Sequence, residues 1–186
     1  MKLVHSAALA VSLSLILAPS AYAADTADQD KMKPSGAMQM LMDDDAKDFF
    51  ETAASANMLE IDASKLALER ATDPALKTYA QMMVKDHTKA SGELMALAKK
   101  KDVVLETKLL KRHQMMLDDL ASEKQGSEFD DEYRDKMVTS HKEAVSLFDE
   151  AARDSKDPDI KAFAAKTLPT LQAHGGAAKK LPKPKG

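Results

Sequence analysis

Twice along this chain an Asp-Pro dipeptide, Asp73-Pro74 and then Asp157-Pro158, closes one long stretch of apolar residues spaced by three and four and opens the next. Aspartate accepts hydrogen bonds from the free N–H groups of a helix start, and proline is well tolerated at the first helical position. Each dipeptide therefore marks the turn of a helical hairpin. The likeness runs on, because Asp73-Pro-Ala-Leu-Lys-Thr-Tyr-Ala80 lines up with Asp157-Pro-Asp-Ile-Lys-Ala-Phe-Ala164. Two related hairpins packed together make a four-helix bundle.

The periodicity fills in the helices. The first begins at the acidic Asp43, Asp44 and Asp45, whose charges suit a helix N-terminus, and carries Phe49, Ala53, Ala56, Ala63 and Ala67 on one face to about Ala71. The second follows Pro74, with Leu76, Ala80, Met83, Leu94 and Leu97 inward, and ends in Lys99, Lys100 and Lys101. A third is expected over Thr107 to Gln125, with Leu109, Leu110, Met116, Leu117 and Leu120 inward and Gly126 as its stop. The fourth is expected from Asp130 to Ser155 with Met137, Val138, Ala144, Val145 and Phe148, and the last follows Pro158. Pro169 removes a backbone hydrogen bond inside that last helix and should bend it near Ala165. With 4% aromatic residues, no Trp and 12 Met, side chains suited to helix interfaces outnumber those that sheets favour. The expected fold is all-α: a four-helix bundle with one extra helix inserted in the crossover between the two hairpins.

Outside the bundle the chain changes character. Lys2 and His5 precede an apolar run from Ala7 to Ala18, and Ala21-Tyr22-Ala23 supplies small residues for cleavage, so residues 1–23 read as a secretory signal. Residues 24–42 read as a flexible leader, 43–178 as the bundle and 179–186 as a basic tail. This predicts a periplasmic or secreted protein, without a membrane-spanning segment in its mature part. There is no cysteine, which removes disulfides and thiol catalysis together. With 27 basic against 30 acidic residues, nothing attracts nucleic acid. Phosphate loops, nucleophile elbows and zinc-protease motifs are absent, and no serine has a recognisable base in its neighbourhood of sequence.

The informative residues are polar ones on apolar stripes. Glu60 stands at helical spacing from Ala53, Ala56, Ala63 and Ala67, and His87 stands likewise among Ala80, Met83, Ala90 and Leu94. His141 lies between Val138 and Ala144, and His174 between Leu171 and Ala177. Each long helix thus turns one potential ligand inward. A buried carboxylate is costly unless paired or bound to a cation, and neutral imidazole is the commonest protein ligand of transition metals. The set Glu60, His87, His141 and His174 would suit a single zinc, iron, copper or nickel ion. A metal-free network in which Glu60 accepts from histidine N–H groups satisfies the same residues. His113 on the inserted helix reads as a packed core residue, Asp86 as facing solvent or the bundle edge, and the methionines of the leader as filler rather than a soft-metal trap.

The run from Asn57 through Glu60, Ser64, Asp73-Pro74, Tyr79, Met83 and Asp86-His87 to Ala90 resembles the core signature of the exported domain-of-unknown-function (DUF) 4142 proteins, which belong to the ferritin-like helical bundles. The resemblance continues through Phe129-Asp130, Tyr133, Met137-Val138, His141, Leu168-Pro169 and His174. It implies that Glu60, Asp86-His87, His141 and His174 occupy the family's recurrent polar positions, and it supplies no activity. Di-iron bundles place a Glu three residues before each ligand His, where this chain has Val84, Val138 and Leu171, so a carboxylate-bridged di-iron centre is not expected. Three function classes stay open: an exported metal-binding bundle, a non-enzymatic envelope or stress-related protein with a structural polar core, and a metal-dependent redox or storage protein.

Overall fold

The computed structural model describes residues 44–183. The signal, the leader and the end of the basic tail lie outside them. Five helices follow one another, α1 (Asp44–Arg70), α2 (Pro74–Lys100), α3 (Lys111–Ser122), α4 (Ser127–Asp154) and α5 (Pro158–Ala178), and the described residues contain no strand. The fold is the all-α bundle expected, with α3 in the crossover. None of the helices is long and apolar enough to cross a membrane.

Both Asp-Pro signals act as read. The Asp73 carboxylate accepts from Ala75 N–H at 2.7 Å, and that of Asp157 accepts from Asp159 and Ile160 N–H at 2.8 and 3.2 Å. A cap of this kind contributes about 1 kcal/mol. Asp130, one turn into α4, reaches back to the first hairpin and accepts from the N–H groups of Thr72 and Asp73 at 2.9 and 3.0 Å, fastening α4 to the α1–α2 turn.

The middle of the chain departs from expectation. α3 covers only 12 residues, because residues 103–110 run as a loop instead of a helical turn, and Leu110 N–H donates to Ser55 Oγ on α1 at 2.8 Å. Gly126 does not stop α3. The chain has already left the helix at Glu123, and Gly126, at φ 146°, makes the turn into α4 in a conformation that L side chains rarely adopt. α4 accordingly starts at Ser127, ahead of Asp130.

The core has two apolar halves. One gathers Leu59, Ala63 and Ala67 from the later part of α1, Leu76 and Met83 from the start of α2, Phe129, Tyr133 and Met137 from the start of α4, and Ala178 from the end of α5. The other joins Phe49 and Ala53 at the start of α1, Leu94 and Ala98 late in α2, Phe148 late in α4, and Ile160 and Leu171 of α5. Hence α1 runs parallel to α5 and α2 parallel to α4, and the crossover from residue 101 to 126 must travel the length of the bundle. In the second half the rings of Phe49 and Phe148 stand 5.1 Å apart and those of Phe148 and Phe163 5.9 Å, within the range of favourable aromatic pairs.

Candidate metal centre

Between these halves lies a polar layer. His87 falls in the gap on α2, His141 in the gap on α4, His174 in the gap on α5, and Asn57 and Glu60 flank it on α1. All five side chains are buried, Glu60 and His141 to 1% exposure. Small residues on α1, Ala53, Ala56 and Ala63, let the other helices approach closely enough for these groups to meet.

Glu60 organises the layer. Its Oε2 lies 2.8 Å from His87 Nδ1, and its Oε1 accepts from Ser140 Oγ at 2.6 Å and lies 3.3 Å from His141 Nδ1. His87 Nδ1 also stands 2.8 Å from Asn57 Oδ1, and His141 Nδ1 donates to the Met137 carbonyl at 2.9 Å. These acceptors place the hydrogen of both rings on Nδ1. On the opposite side His174 Nε2 lies 3.1 Å from Asp86 Oδ2, which places its hydrogen on Nε2.

That bonding leaves three nitrogens over: His87 Nε2, His141 Nε2 and His174 Nδ1 are buried and have no hydrogen-bond partner. A buried polar atom without a hydrogen-bond partner costs about 1–3 kcal/mol, and here three occur side by side. The rings stand 5.4 to 5.6 Å apart, centroid to centroid. Each of the three histidines offers a nitrogen that lies within 4.8 Å of the other two. Nitrogens bound to one ion at roughly 2.1 Å sit within ~4 Å of each other, so the rings would need to close by under about an ångström.

Electrostatics follow the same division. Burial pushes the Glu60 carboxyl up, but the charges of His87 and His141 and the hydrogen bonds from His87 and Ser140 outweigh it and hold the pKa at about 2. Burial lowers His87, yet the charge and hydrogen bond of Glu60 prevail and raise it above the ordinary value. Burial dominates at His141 and His174 and keeps both below it. Burial thus favours the neutral form of His141 and His174, and Glu60 favours the charged form of His87.

The four residues singled out from the sequence share this layer, but they divide in their contacts: three imidazoles face one another and the carboxylate sits behind two of them. Sequence reasoning missed Asn57, Ser140 and the partnership of Asp86. Asn57 precedes Glu60 by three residues on the same helical face, a signal that was available. Asp86 stands at the bundle edge as read, with its side chain 35% exposed, and yet orients a histidine of another helix. His113 is a packed core residue as read, 2.7 Å from Ser55 Oγ and 3.3 Å from Glu143. Ser55 therefore does have a base beside it. Its hydroxyl is buried and accepts from Leu110 N–H, which ties the crossover to α1.

The family model for the domain of unknown function DUF4142 matches residues 31–181. The chain belongs to this family. Among solved structures the DUF4142 chain is similar to CopM in the Cu(II)-bound form, with a TM-score of 0.60, 23% identity, and coverage of 71% of this chain and 91% of that one. It is similar also to CopM in the Cu(I)-bound form, with a TM-score of 0.60, 20% identity, and coverage of 75% and 94%. At these identities the likeness establishes a shared fold. No curated protein sequence matches the chain.

Proposed function

We propose that this DUF4142 protein is an exported, non-enzymatic copper-binding bundle that holds one ion on His87 Nε2, His141 Nε2 and His174 Nδ1. The observation that carries the reading is the trio of buried nitrogens without hydrogen-bond partners. A structural network alone would account for Glu60, Asn57 and the Nδ1 atoms of His87 and His141, but not for three neighbouring buried nitrogens without a partner. Neutral imidazoles suit copper, zinc, nickel or iron. Copper is favoured because the same fold is found with copper in both oxidation states in CopM.

Glu60 takes an outer role in this reading. Its oxygens are engaged by His87, Ser140 and His141, so it fixes the tautomer and direction of two ligands and supplies negative charge behind them, as carboxylates commonly do around metal-bound histidine. Asp86 does the same for His174. The signal-like residues 1–23 support delivery to the periplasm or the exterior.

The test is a titration of metal-free protein with Cu(I) in competition with a chromophoric chelator, repeated for His87→Ala, His141→Ala and His174→Ala. One ion per chain is expected, with each variant at least ~100-fold weaker. Binding that survives all three substitutions, or no binding by the unchanged chain, refutes the assignment.

A further inference from the structure

The three ligand positions are not held equally. His87 is fixed by Glu60 and Asn57 at 2.8 Å each, and His141 by the Met137 carbonyl and Glu60. Each of those rings has a bond of 2.9 Å or less, whereas the shortest at His174 is 3.1 Å, from its Nε2 to Asp86, and Tyr79 Oη donates to its carbonyl at 3.3 Å. Among the side chains that bond to the three rings, Glu60 and Asn57 are buried and Asp86 alone reaches water.

The helix that carries His174 also holds residues that weaken a helix. Pro169, five residues earlier, lacks the N–H that would bond within α5, and Gly175 and Gly176 follow at once. Of the two glycines only Gly175 is required by packing, since a Cβ there would come 3.1 Å from His141 Cβ. A Cβ at Gly176 would meet nothing within 4 Å. Packing therefore does not demand glycine at 176, and its effect is to make local opening of α5 easier.

We infer that copper reaches and leaves the triad along the α2–α5 seam at Asp86, by a swing of His174 with the weakened stretch of α5, while His87 and His141 stay fixed on Glu60. This rests on the copper-site reading above. An ion arriving at the seam meets the half-buried Asp86 carboxylate first. When the Asp86 hydrogen bond lets go, the ring is free to turn outward.

A residue that governs opening without touching the bound ion changes both rates and leaves the equilibrium alone. Gly176→Ala is such a change, and Gly92→Ala, at an exposed position on α2 where a Cβ also meets nothing within 4 Å, is its control. Loading from a Cu(I)–chelator complex and release to excess chelator are followed by absorbance in stopped flow on the full chain. Gly176→Ala should slow both steps about fivefold, the typical helix preference for alanine over glycine, and keep the Kd within about twofold. Gly92→Ala should alter neither rate. Unchanged rates for Gly176→Ala with binding intact, or a change in one rate alone that shifts the Kd with it, overturn the route but not the site. Absence of copper binding by the unchanged protein overturns the site and the route with it.

Discussion

Replacing Glu60 by glutamine tests the centre of the molecule most directly. The substitution keeps the shape and removes the charge that two imidazoles and a hydroxyl surround. The carboxyl is held at about 2 against 4.5 for a free glutamate, and at roughly 1.4 kcal/mol per pKa unit this corresponds to about 3 kcal/mol of stability at neutral pH. Burial at 1% exposure leaves little room for solvent screening. Because the folded pKa is depressed, the contribution is complete above pH 4.5 and disappears as pH falls toward 2. Urea unfolding of the metal-free proteins should therefore separate wild type from Glu60→Gln by about 3 kcal/mol at pH 7, with the gap narrowing below pH 4.5. Copper affinity should fall about 10- to 100-fold, the usual effect of removing an outer carboxylate, while X-ray absorption still counts three nitrogen neighbours at the metal. A stability difference under about 1 kcal/mol together with unaltered affinity would refute the organising role. Loss of an oxygen neighbour at the metal would make Glu60 a ligand instead.

Gly175→Ala should weaken copper binding by about tenfold while far-ultraviolet circular dichroism stays unchanged, since the added methyl group pushes on His141 at 3.1 Å; an affinity equal to wild type sinks the idea that close approach of α5 to α4 sets the site. Copper loading should release one proton, from His87, whose raised pKa keeps it charged below 6.5 whereas His141 and His174 are already neutral near pH 7. Calorimetry in two buffers of different ionisation enthalpy measures this, and zero protons released at pH 6 contradicts the assignment. Ser55→Ala removes the acceptor of Leu110 N–H and the partner of His113 Nδ1, so it should cost about 1–3 kcal/mol in urea unfolding, with copper affinity preserved.

The fold was legible because its signals are local. Asp73-Pro74 and Asp157-Pro158 cap the helices they precede, and the three-and-four spacing named the inward faces correctly. The sequence misled where tertiary bonds decide. Leu109 and Leu110 continue a helical pattern, but the Leu110 amide finds Ser55 across the bundle and the helix begins one residue later. Gly126 reads as a helix stop from either side, and only the turn geometry assigns it to the start of α4. At the candidate site, helical phase alone brought Glu60, His87, His141 and His174 to the interior. What it could not supply is which atoms face each other. That Glu60 stands behind two rings, and that Asp86 on one helix steers His174 on another, depends on rotamers and on the rotation of α2 against α5, and spacing along one helix does not encode these.

The polar layer divides the apolar interior into two blocks that each join all four long helices. Each block grips the four long helices by itself, and Glu60 is satisfied by protein groups alone, so a bound ion need have no share in keeping the chain folded. If the proposed copper site holds, the chain keeps its shape when the ion leaves, whereas a zinc finger stripped of its ion collapses.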